Sequence, residues 1–173
     1  MSKREKTVTR SFRISQSAFK ALEEDAARRS ITLNTLVNQL FLAHTNLGRF
    51  LDKLGSLRIA RPSFTQLLNA CSDEAIIGVA RSVALDSPRA MILAKHGVLS
   101  LSTVLDYVRT MVTYGGFGEY SEVENQGRFV ITLTHDLTRK GSVFISNVLD
   151  SIFGMINVHP KMSLSEHSVI LEI

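Results

Sequence analysis

At 173 residues with 45% hydrophobic content, the chain is long enough for one good domain or two small ones, and its composition argues against general disorder. No apolar run approaches the roughly 18 residues of a membrane helix, and MSKREK leads into a strand pattern without a signal-peptide hydrophobic region, so a cytoplasmic protein without a membrane partner is expected. The single cysteine, Cys71, excludes an internal disulfide and any CxxC redox or zinc motif, and is expected to be a small buried hydrophobe.

The net charge of +4 is unevenly spread: residues 1–61 hold 12 Lys/Arg against 5 Asp/Glu, whereas residues 62–173 hold 8 against 11. A basic arm of net +7 on a mildly acidic body is the footprint of a polyanion binder, nucleic acid or an anionic membrane surface. A solvated charged surface accounts for the same numbers.

After MSKREK, the stretch TVTRSFRIS alternates as a strand, with Val8, Arg10, Phe12 and Ile14 on one side and Thr7, Thr9, Ser11 and Arg13 on the other. Ser15 or Ser17 offers an N-cap for a helix over SAFKALEEDAARR, in which Phe19, Leu22 and Ala26 fall at helical spacing and Arg28 and Arg29 suit the C-terminal dipole. ITLNTLVNQLFLAHTNL then reads as a second helix capped by Thr32, with Leu33, Leu36, Val37, Leu40, Phe41 and His44 as its stripe.

GRFLDKLG extends that helix or connects domains, and SLRIA is a candidate short strand. Helices are expected over 63–71, over DEAIIGVARSVAL, over PRAMILAK with Pro88 in its first turn, and over SLSTVLDYVRTMVTY. YGGFGEY reads as a loop, GRFVITLTHD as a strand, TRKGSVFISNVLDSIFGMI as an amphipathic helix, and VHPKMSLSEHSVILEI as two strands turning near Leu164 to Glu166. The expected fold class is α+β: a small N-terminal unit over 1–48, a connector over 49–61, and an α+β domain over 62–173 with helices followed by β-α-β-β.

The opening strand has no sequence neighbour to pair with, and unpaired buried backbone is costly. Two copies of the chain resolve this by laying their strands side by side, antiparallel. Val8, Phe12 and Ile14 of both copies would then be covered by Phe19, Leu22, Ile31, Leu36 and Leu40, while Thr9, Ser11 and Arg13 face outward twice. A two-stranded ribbon of that width fits the DNA major groove.

The stretch SFRISQSAFKALEEDAARRSITLNTLVNQLF, within residues 7 to about 47, resembles the ribbon-helix-helix (Arc/MetJ-type) family of DNA-binding repressors. The resemblance implies that Thr9, Ser11 and Arg13 read base edges in double-stranded DNA. It places Thr32, Leu33 and Asn34 at a backbone phosphate held by a helix N-terminus, with Lys3, Arg4 and Lys6 adding phosphate contacts. It implies a dimer core of Val8, Phe12, Ile14, Phe19, Leu22, Leu36 and Leu40. Two positions depart from the family pattern: Arg10 stands where an apolar residue is usual, and Ser30 stands where the inter-helix turn often carries glycine.

The rest offers less chemistry. His96, His135, His159 and His167 lack ligand spacing, so no metal and no cofactor is expected. Arg139 and Lys140 at a helix start suggest an anion site, unless Asp136 pairs with them or the helix begins at Ser142. Glu119, Glu122 and Glu124 read as a solvated face, and no nucleophile and base pair is argued from spacing, so no enzyme is expected.

The reading is a nucleoid-associated, sequence-specific transcriptional regulator, a homodimer or tetramer, whose C-terminal domain senses a small-molecule or protein effector or oligomerises. The alternatives are an adaptor or antitoxin-like protein that holds another protein, and an architectural or plasmid-partition DNA-binding protein.

Overall fold

The first helix starts where the sequence supplies an oxygen for it. In a computed structural model that describes residues 6–125 and 128–173, α1 spans Gln16–Arg28, and the Ser15 hydroxyl accepts from the Ala18 amide at 3.3 Å. Ser15 rather than Ser17 is therefore the cap. Ser30 stops the helix with a left-handed backbone, φ 53°: its amide donates to the Ala27 carbonyl at 3.0 Å and that of Ile31 to the Ala26 carbonyl at 3.1 Å. That pair of bonds satisfies carbonyls the last turn would otherwise leave open. Helix α2, Leu33–Ala43, opens at Thr32, whose hydroxyl accepts from the Thr35 amide at 3.1 Å and whose carbonyl accepts from Leu36 at 3.0 Å.

The chain divides into two compact units between Leu42 and Ala43. In the first, Ala26 and Leu36 are buried, and Thr7–Ile14 forms no strand among the described residues. A strand exists only where its amides and carbonyls meet a ladder partner.

The second unit begins with a π turn, His44–Gly48, followed by α3, Arg49–Leu54. The stretch read as a connector thus holds a helix, and its Phe50 packs in a small cluster with Leu47 and Met91. SLRIA is not a strand: residues 56–60 carry no ladder, and Leu57 is 95% exposed. Helix α4 spans Arg61–Ala70, with Pro62 in its first turn, where the missing amide costs nothing.

Helix α5 runs unbroken from Asp73 to His96, where two helices were expected. An internal proline removes one helical hydrogen bond and crowds the preceding turn. Here Ile76, Ala80, Ala84, Pro88, Met91 and Ile92 form one buried stripe that continues through the proline, and α5 packs on α7 more extensively than any other pair of helices. Packing along the whole stripe outweighs the local penalty. Helix α6, Leu101–Gly115, opens on a reciprocal box in which Ser100 and Thr103 each accept from the other's amide.

Two hairpins and a helix complete the unit: β1 (Glu119–Asn125), β2 (Arg128–Thr134), α7 (Arg139–Gly154), β3 (Lys161–Leu164) and β4 (Ser168–Glu172). The sheet is antiparallel in the order β1-β2-β4-β3, with Ile131 opposite Leu171 and Leu133 opposite Val169. These four residues meet Val104 and Val108 of α6 and Ile152 and Phe153 of α7 in the main core. The class is α+β, but the C-terminal element order is β-β-α-β-β, because EYSEVEN is a strand rather than a loop and a solvated acidic run. Glu122 is not simply solvated: the Tyr120 hydroxyl donates to it at 2.7 Å and Arg109 of α6 pairs with it. Cys71 is exposed, because it closes α4 at the surface instead of entering the core.

Candidate nucleic-acid interface

Positions 9, 11 and 13 lie in the segment before α1, and Thr9, Ser11 and Arg13 are all exposed, as is Lys6. Lys3 and Arg4 lie outside the described residues. Arg10, the inward position of the expected ribbon, is exposed too.

The apolar residues of the same segment are largely exposed. Val8 is 74% and Phe12 70% exposed, and Ile14, Phe19 and Leu40 are also exposed. Leu22 is half-buried, and of the seven expected core residues Leu36 alone is buried, at 2% exposure. Phe12 stands edge-on to Phe41, ring centroids 6.1 Å apart, so the segment before α1 touches α2 while leaving most of its apolar surface open.

At the start of α2 the Thr32 hydroxyl is spent on the Thr35 amide and hydroxyl, the latter 2.8 Å away. The amides of Leu33 and Asn34 have no acceptor within the helix, as geometry requires of a first turn. With the positive dipole end, they leave free donors and partial positive charge at the start of the helix.

No protein-family model matches the chain, and no curated protein is similar to it. The ribbon-helix-helix resemblance rests on residues 7 to about 47 alone.

The polar residues singled out in the second unit have structural occupations. The Lys140 ammonium donates to the carbonyls of Asn69, at 3.1 Å, and Cys71, at the C-terminal end of α4. A cation at the start of α7 thus serves the negative end of another helix. Asp136 pairs with Arg61, not with Arg139, and Arg61 also donates to the Gly116 carbonyl at 3.2 Å. Arg139 is exposed, and the helix begins at it, not at Ser142.

Two clusters escaped the sequence reading. In the first, Lys95 donates to Asp106 at 2.7 Å and to Thr110 at 3.1 Å, and His96 Nε2 lies 2.9 Å from the same carboxylate. Burial alone would raise the Asp106 carboxyl, but the bonds from Lys95 and His96 hold it below the ordinary aspartate range. In the second, His135 and Ser142 are buried together between β2 and α7. Among the described residues no group of three or more His, Cys, Asp or Glu side chains is placed to hold a metal, and no helix is long and apolar enough to cross a membrane.

Proposed function

We propose that the protein is a homodimeric ribbon-helix-helix DNA-binding regulator in which residues 7–15 of two copies pair as an antiparallel ribbon that enters the major groove. One observation carries this reading: Val8, Phe12, Ile14, Phe19 and Leu40 are exposed together in a unit of about forty residues, a size at which oligomerisation is usually needed for stability. Covering each such side chain contributes about 1.5–3 kcal/mol. The second copy also supplies the ladder partner that residues 7–15 lack.

The alternation then turns Thr9, Ser11 and Arg13 to the bases. Arg13 suits a bidentate pair to guanine, and the hydroxyls serve either as donors or as acceptors. The α2 N-terminus, through Leu33 and Asn34 with Thr32 as cap, sets the register on a phosphate. Lys3, Arg4 and Lys6 add salt-dependent affinity, in keeping with the net +7 of residues 1–61. The second unit acts as the effector-sensing or oligomerisation domain, and the protein works at the nucleoid.

The test is selection of bound sequences from random DNA, repeated on a Thr9→Ala, Ser11→Ala, Arg13→Ala triple variant. The wild type is expected to select a repeated half-site, and the variant to stay dimeric but lose discrimination. An unchanged sequence preference in the variant overturns the assignment. Replacing Lys6 by alanine should instead weaken binding to all sequences alike and reduce the salt slope by about 1.

A further inference from the structure

His135 is 3% exposed and Ser142 is fully buried, so each polar atom there needs a partner. The Leu137 amide donates to His135 Nδ1 at 3.2 Å, and Nε2 lies 2.9 Å from the Ser142 hydroxyl. That hydroxyl donates its own hydrogen to the Ser165 carbonyl at 2.7 Å in the turn between β3 and β4, and the His135 amide donates to the His167 carbonyl at 2.9 Å. A backbone amide can only donate, so Nδ1 must accept and the ring hydrogen must sit on Nε2. The chain of bonds closes in one direction only, and it requires a neutral ring.

That polarity excludes a serine nucleophile activated by His135. A base would have to accept from Ser142, whereas here the ring donates to it. A second proton on the ring would set an N–H of Nδ1 against the Leu137 N–H, two donors facing each other in a buried site. We propose that His135 is an acid-sensitive latch on the turn between β2 and α7: the neutral ring holds the turn closed, and protonation opens it. The part released is Leu137, which is 2% exposed and seats against Gly141 in the first turn of α7.

The charges around the ring come from several elements. Asp136, its neighbour in the turn, favours the cation but is held by Arg61 of α4, and Glu119 of β1 lines the same shallow cleft. His167 in the β3–β4 turn opposes a second positive charge. Arg139 and Lys140 stand in the first turn of α7, where Lys140 is engaged at the end of α4. Glu166 stands beside His167 in the sequence of the β3–β4 turn. Burial is the largest influence and pushes the ring below the ordinary histidine value. The neutral-state stability is therefore full above about pH 6.5, the unfolded value, and is lost as the pH falls below it toward the folded value.

The experiment follows the full chain by nuclear magnetic resonance from pH 8 to pH 5, in a His167→Gln background that removes the neighbouring titration. Expected are an Nε2–H ring at pH 8, ring titration below the ordinary value, and loss of Leu137 amide protection at the same midpoint while Ile131 and Leu149 stay protected. His135→Asn, which offers an oxygen to the Leu137 amide but gains no proton, should make that protection independent of pH. An Nδ1–H ring, a Leu137 amide still protected after the ring is charged, or simultaneous loss across the core overturns the proposal. If His135→Asn does not fold, the ring and amide midpoints of the parent decide alone.

Discussion

Gly141 lies so close to Leu137 that a Cβ on the glycine would stand 2.2 Å from the Leu137 Cβ. The close approach lets Leu137 seat in the first turn of α7 and places the following Ser142 beside His135. Gly141→Ala must push the turn outward, and overpacking of this kind costs about 1–3 kcal/mol. Gly118→Ala should be worse, because the added carbon would meet the Thr134 carbonyl oxygen at 1.8 Å from a backbone at φ 141°. Urea unfolding should show a lowered midpoint for the first variant and no folded baseline for the second.

Phe12 separates a dimer from a monomer. If its 70% exposure in one copy were its final state, Phe12→Ala would change stability by less than about 0.5 kcal/mol. Covered by a second copy, the same substitution removes a core aromatic worth about 3–5 kcal/mol and shifts the protein toward monomer. Sedimentation at micromolar concentration distinguishes the two, and a variant as dimeric as the parent would remove the support for the ribbon.

Ser30 carries a left-handed backbone that serine adopts only at a cost. Ser30→Gly is expected to raise stability by about 0.5–1 kcal/mol, since both bonds that end α1 are made by backbone alone. Thr32→Ala should lower it by about 1 kcal/mol through loss of the α2 cap. Thermal unfolding of the two variants should therefore move in opposite directions.

Asp106 joins α5 to α6 through Lys95 and His96. Because its carboxyl is held below the ordinary value, the stability it contributes is present above about pH 4, the unfolded value, and is lost as the pH falls through the lower folded value. Asp106→Asn should unfold at a lower temperature than the parent at pH 7, and the two should converge near pH 3. The His135 latch begins to weaken below about pH 6.5, so the two effects set in at different pH values.

Lys140 distinguishes an anion site from a helix clasp. Its bonds to the Asn69 and Cys71 carbonyls predict that Lys140→Ala loses roughly 1 kcal/mol of stability. Inorganic phosphate should shift the melting temperature of both forms alike, whereas phosphate-dependent stabilisation of the parent alone would restore the anion reading.

Some elements were legible because their signals are local. Ser15 and Thr32 cap helices within three residues of themselves, the hydrophobic spacing of α6 and α7 shows their period, and the two terminal strands turn over Ser165–His167, as their alternation suggests. EYSEVEN was not legible, because its acids argue against a strand until β2 lies alongside and Arg109 and Tyr120 meet Glu122. Pro88 likewise reads as a helix start until the buried stripe on both sides of it is known.

By itself the sequence determined the helix caps, the α+β class, the basic arm and the alternation of residues 7–14 that motivates a paired ribbon. Only the tertiary structure decided what the isolated polar residues do. Lys140 finds its acceptors 69 and 71 positions away, and Ser142, which His135 bonds, finds its acceptor 23 positions further on. Caps and periodicity depend on neighbours a few residues apart and can be read along a line. The protonation state of a buried ring depends on which donors and acceptors the fold brings around it, and those come from three separate elements.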